Sequence, residues 1–119
     1  MKRSLFINEN LSDEDKVRVS KELKLGYLNL EDEMFEQAKL NFDIVLQIDS
    51  ACADAYWGLM LCKYQLKSED LLFTEAKTYE SAIYLPEYEN AMKFAQENQK
   101  KIFERVMQRI NEIHAGDNY

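Results

Sequence analysis

Thiol and imidazole chemistry in this 119-residue chain is confined to Cys52, Cys62 and His114. A cysteine and a histidine can transfer acyl groups when the imidazole takes the thiol proton within hydrogen-bond reach and a third group orients it. Here both cysteines flank an apolar stretch around Trp57, whereas His114 stands near the end of the chain. A pair could form only if a cysteine left the interior. The same three residues cannot supply a four-ligand structural zinc site without carboxylates, and the chain has no CxxC pair. His114 reads instead as a cation near a helix C-terminus, where the helix dipole favours it. Cys52 and Cys62 are ten residues apart in one predicted helix. That spacing corresponds to a rise of about 15 Å, beyond the reach of a disulfide. Both are therefore expected as buried free thiols in a reducing compartment. None of the 22 acidic residues reads as lying in an apolar run that would raise its pKa for acid–base work. The glycines are isolated at 26, 58 and 116 and build no phosphate loop. The sequence thus predicts no enzyme, no cofactor and no metal.

The elements around these residues are helical by composition. Three glycines and one proline leave little turn chemistry for a sheet, and 46% hydrophobic residues with 14 aromatics favour a packed core over disorder. The formal charge of −7 opposes direct nucleic-acid binding, which rests on Lys and Arg, and serves solubility first. The N-terminus has two basic residues but only three consecutive apolar ones, Leu5, Phe6 and Ile7, too few for a signal peptide. No stretch approaches the 18 apolar residues of a membrane span, and a cytoplasmic protein is expected.

Along the chain, residues 1–11 read as a polar arm whose Leu5-Phe6-Ile7 either packs back or stays free. Ser12 with Asp15 approximates a capping box and opens a helical domain over 12–115. Apolar periodicity places helices near 13–30, 34–48, 51–67, 72–85 and 87–114, followed by a tail at 116–119. The helix at 51–67 is apolar on most sides and should sit between neighbours. Pro86 ends the fourth helix, and Gly116 ends the last.

A pattern recurs about 37 residues apart: Ala38, Phe42, Val45, Ile48, Asp49 is echoed by Glu75, Tyr79, Ala82, Leu85, Pro86. A helix pair that repeats implies units burying their apolar faces against one another. Leu25-Gly26, Phe35, Ala38 and Phe42 in the first unit, and Ala55-Tyr56, Leu59, Tyr79, Ala82 and Pro86 in the second, resemble the tetratricopeptide repeat family. Met60 stands where that family usually has glycine, with Gly58 nearby. The run from Ala53 to Tyr64 looks closer still to the helical module of Gram-positive bacterial members, some of which carry zinc ribbons. This chain has no paired-cysteine ribbon, so that metal role does not carry over.

The resemblance implies an all-α superhelix of two hairpins plus a long C-terminal capping helix, acting as a scaffold or adaptor for protein binding. Ligands of such repeats lie along the groove formed by the first helix of each unit, which maps onto Leu23, Tyr27, Leu30, Trp57, Leu61 and Tyr64. An aromatic, apolar groove of that kind suits an amphipathic helix or hydrophobic peptide. The C-terminal helix could equally fill it. Ile102, Val106, Ile110 and Ile113 recur at three to four residues and form a candidate seam for a homodimer. A third reading is an acidic regulator of a basic or nucleic-acid-binding partner.

Overall fold

The computed structural model describes residues 5–67 and 86–116, in which five helices and no strand occur: α1 (Asp13–Glu31), α2 (Phe35–Ile48), α3 (Ala53–Tyr64), α4 (Pro86–Phe94) and α5 (Glu97–Gly116). The protein is all-α. The helix expected over 72–85 and the tail beyond Gly116 lie outside the described residues.

Helix α1 starts where Ser12 Oγ accepts the Asp15 N–H at 3.1 Å, with Asp13, Glu14 and Asp15 at the positive end of the helix dipole. It ends in a turn built on Glu33, whose φ of 60° is left-handed. There the Glu33 N–H donates to Leu30 O and the Met34 N–H to Asn29 O. The same pair of bonds, from the Gln65 N–H to Cys62 O and from the Leu66 N–H to Leu61 O, closes α3 around Gln65 at φ 56°. Both are Schellman turns, which satisfy the last carbonyls of a helix, and the second also returns the next apolar residue, Leu66, to the core. This explains why α3 stops at Tyr64 rather than at 67. Leu66, which fits the helical periodicity, is buried from the loop side of the turn.

Helices α1, α2 and α3 meet on the ring of Phe42. An added Cβ at Gly26 of α1 would stand 2.6 Å from Phe42 Cε1, and one at Gly58 of α3 would stand 2.3 Å from Phe42 Cζ. Phe42 is therefore wedged between two glycines on two different helices, and neither position accepts a side chain without moving the ring. Gly58, not the residue at 60, makes this approach; Met60 is buried in the core. Around the wedge, Asn29 Nδ2 donates to Asn41 Oδ1, and Asn41 Nδ2 donates to Glu22 Oε2, both at 2.8 Å, which ties α1 to α2 along one edge. Helix α3 is enclosed, as its apolar composition implies: Ala53, Ala55, Trp57, Gly58, Met60 and Leu61 are all buried.

The single helix expected over 87–114 is two. Pro86 opens α4 at the position where a missing N–H costs nothing. The backbone then breaks at Ala95-Gln96, and Gln96 caps α5: its carbonyl accepts the Lys100 N–H, and its own N–H donates to Gln99 Oε1 at 2.9 Å. A glutamine three residues into a helix that reaches back to the cap N–H is half of a capping box. This local arrangement supplies the partners that a broken helix needs, and it turns α5 independently of α4.

Candidate functional site

The six residues mapped to the expected groove lie on α1 and α3. Leu23 and Leu30 of α1, and Trp57 and Leu61 of α3, are fully buried in one apolar cluster that also includes Phe103 and Val106 of α5. Leu5, Ile7 and Leu11 of the arm pack against this cluster, so the arm is docked rather than free. Tyr27 and Tyr64 are half-buried. Four of the six side chains are thus interior, and at Trp57 the covering group is Phe103 of α5.

Trp57 carries the contact with the C-terminal helices. Its ring stacks on Phe103 at 4.2 Å between centroids with 13° between planes, and Tyr88 of α4 approaches at 6.4 Å. The Trp57 indole N–H is buried and has no hydrogen-bond partner among the described residues. Aromatic stacking and exclusion of water hold this contact, with no directional bond from the indole.

A polar contact lies one turn away. Asp54, also buried, accepts on Oδ2 from the Phe6 backbone N–H and from Gln99 Nε2, each at 3.0 Å. Its backbone carbonyl accepts the Tyr27 hydroxyl at 2.6 Å, while the Tyr27 ring stands edge-on to Phe42 at 5.0 Å. One carboxylate oxygen therefore joins the arm and α5 to α3, and the adjoining carbonyl joins α3 to α1. Sequence reasoning missed Asp54. The signal was available: it sits in Cys52-Ala53-Asp54-Ala55-Tyr56-Trp57, an acid inside a run otherwise expected to be interior. Gln99 was missed for the same reason, since a polar residue was read as solvent-facing; it too is buried.

The candidate seam divides. Val106 faces the core with Phe103, whereas Ile102 is 53% exposed, so the two do not share a free surface. Val106 belongs to the buried cluster that also holds Trp57. The side chains of Ile110, Ile113 and His114 lie outside the described residues.

The thiols are unsuited to nucleophilic work. Burial first, then the nearby Asp54 and Asp49 carboxylates, pushes the Cys52 thiol up to about 12. Burial and Asp43 push the Cys62 thiol up to about 12 as well. Both are protonated at neutral pH, the opposite of the lowered pKa that an attacking cysteine requires. Tyr88 is shifted upward by burial and by Glu104. No group of three or more potential metal ligands occurs among the described residues. An open cavity of about 470 Å³ lies beside Phe35, Lys39, Asp43, Leu59 and Cys62, with Lys63 Nζ 3.9 Å from Glu87 Oε1 at its rim. It juxtaposes charges of both signs with an inert thiol.

No described helix is long and apolar enough to cross a membrane. Compared with family models, curated proteins and solved structures, the chain matches none.

Proposed function

We propose that this chain is a non-enzymatic protein-interaction scaffold of tetratricopeptide-like build, acting in the cytoplasm, whose α1–α3 groove is shaped to hold an amphipathic helix. In the resting chain that helix is α5. The observation that carries this reading is the Trp57–Phe103 stack beside the Asp54–Gln99 bond. A buried aromatic anchor supplies affinity, and a neighbouring polar contact sets register, which is how grooves recognise helices. The Phe42 wedge also supports the family resemblance, because it brings helices close both within the first unit, at Gly26, and across to the second, at Gly58.

The test uses the full chain carrying Phe103→Ala, which removes the internal anchor. A fluorescent synthetic peptide with the sequence of residues 95–116 should bind this variant saturably, and should fail to bind when Trp57→Ala is added. Absence of peptide binding to the variant, with its helical signal intact, would refute a helix-holding groove and leave α5 as an ordinary part of the core. The exposed Ile102 favours a second reading, a homodimer or subunit contact through the outer face of α5. Sedimentation equilibrium separates it: a dimer that Ile102→Ser dissociates supports that contact, and a monomer at every concentration excludes it.

A further inference from the structure

The outer face of α1 carries a composition unlike the rest of this acidic chain. Opposite the buried line of Val19, Leu23, Gly26 and Leu30, helical periodicity sets Val17, Lys21, Lys24 and Leu28 on one stripe, with Arg18 and Leu25 at its edge. Val17 is 70% exposed and Leu28 54%, values that no packing among the described residues explains. Arg18, Lys21 and Lys24 are exposed too. The ion pairs among the described residues, Lys63–Glu87 and Lys67–Glu33, leave all three without a partner there. Glu22, the acid nearest in sequence, is turned toward α2 by its bond from Asn41. On the line of the stripe, Asp13 stands one turn before Val17 and Glu31 one turn after Leu28, while Glu14 stands one turn before Arg18.

Both ends of the face are acidic: Asp13, Glu14 and Asp15 precede it, and Glu31, Asp32 and Glu33 follow it. Cations interleaved with apolar side chains can meet an anionic membrane, a nucleic acid or an acidic helix. The flanking acids and the −7 formal charge oppose the first two, because an extended anionic surface would press against both acidic ends. A short helix does not. From Val17 to Leu28 the axial rise is about 16 Å, three turns of a partner helix. A second copy of α1 fits poorly, since an antiparallel pairing of Val17 with Leu28 sets Lys21 against Lys24.

We infer that the exposed face of α1 is a docking surface for a short amphipathic helix of another protein, one with an apolar stripe flanked by Asp or Glu. This surface lies on the far side of α1 from the groove and does not depend on whether the groove opens.

The experiment measures binding of two fluorescent synthetic helical peptides to the full chain by anisotropy. They share length and leucine positions, and carry Glu in one and Lys in the other at every charged site. The Glu peptide should bind at least about 10-fold more tightly, and more weakly as salt rises. Lys21→Glu with Lys24→Glu, and separately Val17→Ser with Leu28→Ser, should each lower its affinity about 10-fold. Both variants change only exposed side chains, so circular dichroism and Trp57 emission should stay as in the parent, which separates this result from failure of the groove. Equal binding of the two peptides, or indifference to both variants, overturns the inference. So does co-sedimentation with phosphatidylserine vesicles, lost on Lys21→Glu, in a chain that ignores the Glu peptide.

Discussion

Replacing Gly58 by alanine tests the central packing claim, because two effects of opposite sign compete there. In an exposed helix interior, Gly→Ala stabilises by about 1 kcal/mol through backbone entropy. At Gly58 the new methyl would stand 2.3, 2.5 and 2.7 Å from three atoms of the Phe42 ring. Ordinary contact begins near 3.4 Å, so the ring would have to retreat by about 1 Å. Its retreat is blocked, since an added Cβ at Gly26 would itself meet the same ring at 2.6 to 3.0 Å. Overpacking of this kind costs typically about 1–3 kcal/mol, and a site closed on both sides belongs at the upper end. The net expectation is a loss of about 2 kcal/mol, which at a urea dependence of about 2 kcal/mol/M moves the midpoint down by roughly 1 M.

Urea titration followed by circular dichroism measures this directly, with Trp57 emission as a second probe of two-state behaviour. Gly58→Ala combined with Phe42→Leu should recover part of the loss, giving a coupling of about 1 kcal/mol or more between the sites. If Gly58→Ala alone raises the midpoint, helix propensity has won, Phe42 is not confined, and the reasoning about the wedge is wrong.

Further outcomes follow from other contacts. Trp57 emission should be blue-shifted and resistant to acrylamide, and Phe103→Ala should shift it to the red while costing about 3 kcal/mol, the range for truncating a buried aromatic. Asp54→Ala should cost about 2–3 kcal/mol, because it strands the Phe6 N–H and the Gln99 amide; limited proteolysis should then cut the arm before any other segment. Gln65→Gly should stabilise by about 0.5–1 kcal/mol in thermal unfolding, relief of a left-handed φ outweighing the entropy of glycine. Both thiols should resist a disulfide reagent at pH 8 in the native chain and react at once in urea. The folded pKa of each thiol is raised from 9.0 to about 12, so their contribution to stability is fully present below pH 9 and is lost as pH rises toward 12.

The groove residues came as a set from the family resemblance, which maps Leu23, Tyr27, Leu30, Trp57, Leu61 and Tyr64 onto the first helix of each unit; helical spacing by itself relates only residues of one helix. Periodicity identifies which side of a helix is apolar. It does not say whether that side meets solvent, a ligand or another part of the same chain, since all three demand the same residues. What decides the matter here is a polar detail. Asp54 and Gln99 look like surface residues one at a time, and become interior residues only as a pair, where each satisfies the other. Reading either alone assigns it to water.

The helix ends failed for a related reason. Apolar spacing continues through Leu66 and through Ala95, so a periodic reading extends both helices. The chain stops them with bonds instead: a left-handed Gln65 whose neighbour returns to Leu61 O, and a Gln99 side chain that takes the Gln96 N–H. Glycine at 65 or serine at 96 would have announced those ends, and neither is present. The break at Gln96 matters most for the contact with Trp57. A continuous helix over 87–114 would carry Phe103 along the axis of α4. The break lets α5 take its own direction and lay Phe103 on Trp57. Gln99 serves both purposes, since its Oε1 caps the new helix while its Nε2 binds Asp54. Gln99→Glu keeps an acceptor for the cap but sets a second carboxylate against Asp54. It should therefore preserve helix content and loosen the contact of α5 with α3, with a red shift of Trp57 emission at neutral pH. A Gln99→Glu chain whose Trp57 emission matches the parent would show that the Asp54–Gln99 bond does not hold Phe103 on Trp57.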